Sequence, residues 1–147
     1  MRTRMTVGGT LLILSVASTA LARDTRYMYP IDAVLNTPPA KAKLGTAINF
    51  YFGKQDHPET VQTFGEYVTN LKTNAFNKTD REACEWVFLG TMLSLRDRAA
   101  QMGADGVVNI RSFYKKNEVV SETEYECHAG ALIAGVALKG TVVKFAK

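Results

Sequence analysis

The chain contains few of the residues from which most catalytic and metal sites are built. Its 147 residues include only two cysteines, two histidines and one tryptophan. The cysteines, Cys84 and Cys127, are too far apart for a Cys-x-x-Cys redox or zinc motif. A Gly-x-x-x-x-Gly-Lys-Ser/Thr phosphate-binding loop is also absent. The sequence therefore predicts a protein that has no enzymatic activity and needs no cofactor.

An apolar segment of transmembrane length is missing as well. The apolar run Val7–Val16 is too short to span a bilayer, and no stop-transfer segment follows it. Two arginines precede the run, and Ala20-Leu21-Ala22 has the small-x-small pattern that a signal peptidase cuts. We therefore predict that residues 1–22 are a secretory signal cleaved after Ala22. The remaining 125 residues, 23–147, are predicted to form a single periplasmic or secreted domain without a stable membrane span.

The chain also lacks a large excess of charge of one sign. The 18 Lys and Arg residues outnumber the 14 Asp and Glu residues, and the predicted signal contains two of the arginines. The mature chain then has an excess of only two positive charges. Neither this charge nor its spacing provides the basic stripe of a nucleic-acid-binding protein, so no nucleic-acid partner is expected.

The best-defined element is a helix predicted over residues 79–102. Thr79-Asp80-Arg81-Glu82 fits a capping box at its beginning, and Gly103 is a natural end. Apolar residues at helical spacing form one stripe that is expected to pack on a sheet. The stripe consists of Cys84, Val87, Phe88, Thr91, Leu95, Ala99 and Met102.

A second apolar group, Trp86, Leu89 and Leu93, falls on the far side of the same helix. Two hypotheses explain it. The N-terminal segment of the mature chain could fold over this face, or the face could bind a partner, which we expect to be another envelope protein.

After Gly103 the apolar pattern changes to a period of two, which indicates strands. Residues 106–114 and 121–129 are predicted to form a hairpin that places Arg111 opposite Glu126 and Ile110 beside Cys127. One side of the second strand is predicted to be a solvated row of Glu122, Glu124, Glu126 and His128. Its other side, Thr123, Tyr125, Cys127 and Ala129, faces inward.

Five further segments complete the predicted architecture. Strands are expected over 29–35, 48–52, 64–71 and 136–145, and a helical turn over 40–44. The predicted fold is α+β, with an antiparallel sheet packed against one main helix and a C-terminal hairpin followed by a last strand.

Both cysteines point toward the interface between the helix and the sheet. In an oxidising compartment two such cysteines usually pair, which predicts a Cys84–Cys127 disulfide. The alternative is a pair of free, buried thiols, if the two elements do not meet.

Two segments carry a resemblance to known families. Residues 99–110, with Gly103-Ala104-Asp105 before a Val-Val strand, resemble a small bacterial family described as heavy-metal-binding. They are also similar to the core of the outer-membrane lipoprotein sensor of the Rcs envelope-stress phosphorelay. Residues 125–131 and 136–140 resemble uncharacterised exported bacterial proteins, some labelled excinuclease ATPase subunit. The resemblance implies a helix on an antiparallel sheet and an envelope role related to stress, with no established catalytic residues.

These patterns predict a non-enzymatic, exported interaction module of the cell envelope. The alternative is a protein that binds a small ligand or a heavy metal through Cys84, Cys127 or His128, since thiolate and imidazole are the ligands that soft metals prefer. Cys127 and His128 are neighbours on one strand, so their side chains should point to opposite faces.

Overall fold

A computed structural model describes residues 23–147. The predicted signal and its cleavage after Ala22 lie outside the described residues. The described elements are β1 (Thr25–Pro30), α1 (Asp32–Leu35), α2 (Pro38–Leu44), β2 (Asn49–Phe52), β3 (Thr60–Asn74), α3 (Asp80–Gln101), β4 (Gly106–Ser112), a 3-10 turn (Tyr114–Lys116), β5 (Glu124–Ala129) and β6 (Ile133–Phe145). Among these residues no helix is both long and apolar enough to cross a membrane.

Helix α3 confirms the main helix predicted from the sequence. The Thr79 hydroxyl accepts a hydrogen bond from the Glu82 amide at 3.1 Å, which satisfies one of the free amides at the helix start. Gly103 ends the helix with a positive φ of 69°, a conformation that glycine adopts without a steric penalty. The predicted stripe is buried from Cys84 to Ala99, and Met102 packs against the same core while half-buried.

The sheet is organised around β6, its central strand. Strand β3 pairs with β6 along one side, whereas β5 and then β4 pair with it along the other side. Strand β1 pairs with β5, and strand β2 pairs with β4. The β2–β4 pairing is parallel, and the other pairings are antiparallel. The architecture is therefore α+β, as predicted, with a curled six-stranded sheet around α3.

The predicted hairpin between β4 and β5 is wrong, because these two strands do not pair with each other and each pairs with a different part of β6. Arg111 is paired with Lys139 of β6 and not with Glu126. Cys127 is paired with Tyr27 of β1 and not with Ile110. Alternation in a strand fixes the face of each side chain but not the neighbouring strand.

The first predicted strand, over residues 29–35, is also wrong at its end. Strand β1 stops at Pro30, and α1 begins at Asp32. The Ile31 amide instead donates a hydrogen bond to the Thr123 carbonyl at 2.9 Å, just outside β5.

The core lies between α3 and the inner face of the sheet. The Phe88 ring on α3 stacks on the Tyr125 ring of β5, with 3.9 Å between ring centroids. Beside this pair, Cys84 and Cys127 form the predicted disulfide, with Cα atoms 5.9 Å apart and both residues fully buried. The bridge joins the main helix to the second strand from the sheet edge.

Candidate functional site

The outer face of β5, which points away from α3, carries Glu124, Glu126 and His128. The sequence predicts a solvated row here, and for Glu126 this is wrong because only 5% of the residue is exposed. Glu124 is exposed, whereas His128 is half-buried. The difference arises because the segment after β4 folds over this face. The Tyr114 ring lies flat on the His128 ring, with centroids 3.7 Å apart.

His128 is held between two carboxylates. Its Nε2 atom lies 2.6 Å from Glu126 Oε1, and its Nδ1 atom lies 3.1 Å from Asp24 Oδ1. Through these two contacts the imidazole ring ties the residue that precedes β1 to β5.

Two basic side chains also contact these carboxylates. Arg26 Nε lies 3.3 Å from Glu126 Oε1, and Lys115 Nζ lies 3.7 Å from Asp24 Oδ2. Glu126 Oε2 is buried and has no hydrogen-bond partner among residues 23–147. We call Asp24, Arg26, Tyr114, Glu126 and His128 the outer cluster. Three of its members, Asp24, Tyr114 and His128, also line the neighbouring cleft.

The cleft results from a glycine between two long side chains. In the sheet, Gly135 of β6 lies directly between His128 of β5 and Lys72 of β3. Gly135 has no side chain, so a groove opens above its backbone, and Tyr114 forms one wall of this groove. The cleft has a volume of about 370 Å³ and is lined by Arg23, Asp24, Lys72, Tyr114, His128, Gly130, Ala131, Leu132, Ile133 and Gly135.

Most of the cleft wall is apolar, and its rim continues as an apolar surface. Leu132 is 61% exposed and Ile133 is 53% exposed in the turn between β5 and β6. A second, more open depression of about 540 Å³ shares Lys72, Leu132 and Ile133 with the cleft. It adds Phe76, which is 59% exposed. Exposed apolar residues that lie next to one another indicate a binding surface more strongly than isolated ones do.

The start of the described chain is fixed to α3 beside this cleft. The Arg23 guanidinium donates to both Asp80 carboxylate oxygens at 2.6 and 2.9 Å, and the Tyr27 hydroxyl donates to Asp80 at 2.7 Å. The hydrogen bond from Arg23 has the largest effect on the Asp80 carboxyl group, and the bond from Tyr27 adds to it. Together they lower the pKa of Asp80 to about 2. Asp80 therefore stays charged at neutral pH and anchors one wall of the cleft.

The three metal-ligand candidates are not brought together. The Cys84 and Cys127 sulfurs are bonded to each other, and His128 lies on the opposite face of β5. Within residues 23–147, no group of three or more His, Cys, Asp or Glu side chains is arranged to hold a metal ion.

The three residues of the predicted partner surface differ in exposure. Trp86 is 63% exposed, and Lys43 Nζ lies 5.2 Å from its ring centroid. Leu89 and Leu93 are half-buried and pack against the core. Short helices α1 and α2 both contact α3, so the N-terminal region covers part of this side of the helix.

The outer cluster and the cleft are the features that sequence patterns miss. Asp24 and His128 are separated by 104 positions, and no local signal connects them. Leu132 and Ile133 offer a weak signal, because two large apolar residues directly follow the small residues Gly130 and Ala131. That signal identifies the rim of the cleft but not its aromatic wall.

Comparisons with protein-family models, with curated proteins and with solved structures find no significant match to this chain.

Proposed function

We propose that this protein is an exported, non-enzymatic binding module whose ligand occupies the cleft beside Tyr114 and His128. The ligand class is a small molecule with an aromatic or alkyl body. The observation that carries the proposal is the cleft of about 370 Å³, apolar over most of its wall and bordered by one cluster of ionisable groups. Small-molecule sites typically have a volume of 300–1,000 Å³ and combine an apolar lining with a few polar groups.

Export is supported by two independent features. The first 22 residues have the charge, apolar run and small residues of a secretory signal. The Cys84–Cys127 disulfide fits an oxidising compartment outside the cytosol. A buried disulfide in a small domain also suits a rigid binding module.

The lining suggests how the ligand is oriented. Its apolar body would lie against Leu132, Ile133 and the Tyr114 ring, where burial of apolar surface is favourable. A polar end would face Asp24, whose side chain is 44% exposed and accepts contacts from His128 and Lys115. This division into an apolar wall and a polar end favours an amphipathic ligand over a purely ionic one.

A neutral fluorescent probe, N-phenyl-1-naphthylamine, tests the site. Gly135→Val should fill the cleft, because a Cβ atom there would lie 3.5 Å from Lys72 Cγ and 3.7 Å from a Tyr114 ring carbon. We expect the wild type to bind the probe with a rise in fluorescence and Gly135→Val to lose at least tenfold in affinity. Unchanged melting temperature would show that the variant is folded.

A matched pair of surface variants controls for nonspecific adsorption. Leu132→Ser should weaken probe binding, whereas Val120→Ser should not, although Val120 is similarly exposed at 55%. A wild type that binds no probe, or a folded Gly135→Val variant that binds it normally, would contradict the cleft assignment.

A second candidate function is the binding of another envelope protein through Trp86. The specific observation is the large exposed fraction of this side chain, since tryptophan is enriched among residues that dominate protein interfaces. Trp86 is the only tryptophan of the chain, so its emission reports on this face directly. We expect a captured partner to shift the emission to shorter wavelength and Trp86→Gln to abolish capture. A variant that captures the same partner as well as wild type would exclude this surface.

A further inference from the structure

Strand β3 is a long strand with one free edge. It runs for 15 residues, and β6 is the only strand of residues 23–147 with which it pairs. The other two edge strands, β1 and β2, have six and four residues. A long unpaired edge presents a row of backbone donors and acceptors to which another strand can be added.

The second half of β3 lacks the irregularities that usually protect an edge. Register shifts interrupt the β3–β6 pairing between Thr60 and Gln62 and between Thr63 and Gly65. From Glu66 to Asn74 the register continues without a shift, from Glu66↔Thr141 to Asn74↔Ile133. This nine-residue segment contains no proline, and its apolar residues Val68 and Leu71 are 51% and 37% exposed. We call residues 66–74 the open edge.

The open edge carries one negative and one positive charge, which become complementary when two copies of the edge pair antiparallel. Glu66 is its only acidic residue and Lys72 its only basic residue. The even spacing of these two residues places their side chains on the same face of the strand. When two copies of the edge pair antiparallel about a twofold axis at Thr69, each Glu66 lies opposite the Lys72 of the other copy. Centring the axis on Val68 or Asn70 instead leaves both charges opposite neutral residues.

Glu66 is already held in place for this role. Its carboxylate lies 2.9 Å from Arg111 Nη2 and 3.4 Å from Lys139 Nζ on the outer face of the sheet. The bond from Arg111 lowers the pKa of Glu66, so the carboxylate is charged at neutral pH. Lys72 takes part in none of the ion pairs among residues 23–147, so its ammonium group is free to meet a carboxylate.

We propose that two copies of this protein form a symmetric dimer by antiparallel pairing of residues 66–74, centred on Thr69. The partner is therefore a second copy of the same chain. Pairing joins the two sheets into one and gives Val68 and Leu71 neighbours across the interface. Two Glu66–Lys72 pairs fix the register, since opposite charges on facing residues stabilise antiparallel strands. The dimer does not require a ligand in the cleft.

Charge reversal tests the register. Protein purified after expression of the full chain is examined by sedimentation equilibrium at increasing concentration. We expect a reversible monomer–dimer equilibrium for the wild type. Lys72→Glu should weaken the dimer at least tenfold, because it sets two carboxylates opposite each other at both ends of the paired segment. Combining it with Glu66→Lys should restore association.

Two controls keep the outcome interpretable. Lys54→Glu makes the same charge change in an exposed loop away from β3 and should leave the dimer intact. Thermal unfolding shows whether each variant is folded, which matters for Glu66→Lys because it removes the contact with Arg111. If the double variant does not fold, the single variant Lys72→Glu and the exchange experiment below decide.

Backbone hydrogen exchange provides a measurement that needs no mutation. Outward-pointing amides of residues 66–74 should exchange more slowly as the wild-type concentration rises, while β1 and β2 should not change. A wild type that stays monomeric up to about 1 mM contradicts the dimer. Protection of the open edge at every concentration would also overturn it, because the edge would then be covered from within its own chain.

Discussion

The two faces of strand β5 show how differently one strand can be used. On the inner face, Tyr125, Cys127 and Ala129 are fully buried against α3 and are joined to it by a disulfide and an aromatic stack. On the outer face, Glu126 and His128 contact each other, and they are held further by Arg26 of β1 and by Asp24 just before β1. The inner face secures the fold, whereas the outer face presents ionisable groups to a cleft. The contacts that hold the core and the groups that border the cleft thus lie on opposite faces of one strand.

Among the changes predicted here, loss of the disulfide on the inner face of β5 should lower the free energy of unfolding the most. Replacing Cys84 and Cys127 together by alanine removes a link across 43 sequence positions. Chain-entropy arguments give a loss of about 4 kcal/mol in the free energy of unfolding for a loop of this length. Urea unfolding followed by circular dichroism measures the loss. A double variant as stable as the wild type would show that packing alone fixes the inner face.

Removal of the His128 imidazole from the outer face of β5 should lower the free energy of unfolding by a smaller amount. His128→Phe retains a ring to stack on Tyr114 but deletes both hydrogen bonds, which leaves the buried Glu126 with Arg26 alone. We expect a loss of about 1–3 kcal/mol in the free energy of unfolding, the typical penalty for a buried group left without its partner. Glu124→Gln on the same strand is exposed and should change little. Equal effects of the two variants would show that Glu126 is not buried in solution.

The third prediction concerns the anchor between β1 and α3 and depends on pH. The pKa of Asp80 falls from an ordinary 3.8 to about 2 in the folded protein. A lowered pKa means that the contact stabilises the fold fully above pH 3.8, and that this contribution is lost as the pH falls through about 2. Asp80→Asn should therefore lower the melting temperature at pH 7 but no longer do so near pH 2. Asp97→Asn, whose carboxylate pairs with the adjacent Arg96, is the matched control. A pH-independent difference would refute this anchor.

The smallest predicted effect is a difference in stability between two Tyr→Phe variants, at Tyr125 and at Tyr27. The Tyr125 hydroxyl is buried without a hydrogen-bond partner among the described residues, and burial raises its pKa. The Tyr27 hydroxyl instead donates to Asp80. Tyr125→Phe should leave stability unchanged or raise it by up to about 1 kcal/mol, whereas Tyr27→Phe should lower it by about 1 kcal/mol. Chemical denaturation of both variants under one condition tests the difference in sign, and equal losses would contradict it.

The contrast between the faces explains what sequence patterns could predict. Helix periodicity and strand alternation place Cys84 and Cys127 on faces that must meet, so the disulfide follows from local signals. The position of Glu126 does not follow from them. Its burial depends on the pairing of β5 with β1 and β6, and on Tyr114 folding over His128. Both are long-range arrangements that alternation cannot specify.

The candidate site is also built from residues that lie far apart in the sequence. His128 was identifiable as an ionisable residue, but its partner Asp24 lies 104 positions away, near the start of the described residues. Gly135 gives no chemical signal, and it creates a cleft only because His128 and Lys72 flank it in the sheet. The Trp86 face was identifiable from helical spacing, yet the pattern did not show that Leu89 and Leu93 pack against the core.

The most direct test of the central claim is a titration of the isotope-labelled protein with N-phenyl-1-naphthylamine, followed by amide chemical shifts. A ligand in the cleft should move the resonances of Tyr114, His128 and residues 130–135 together and leave those of Lys43 and Trp86 in place. Saturating shifts confined to the cleft would support the binding assignment. Shifts centred on Trp86, or none at all, would contradict it.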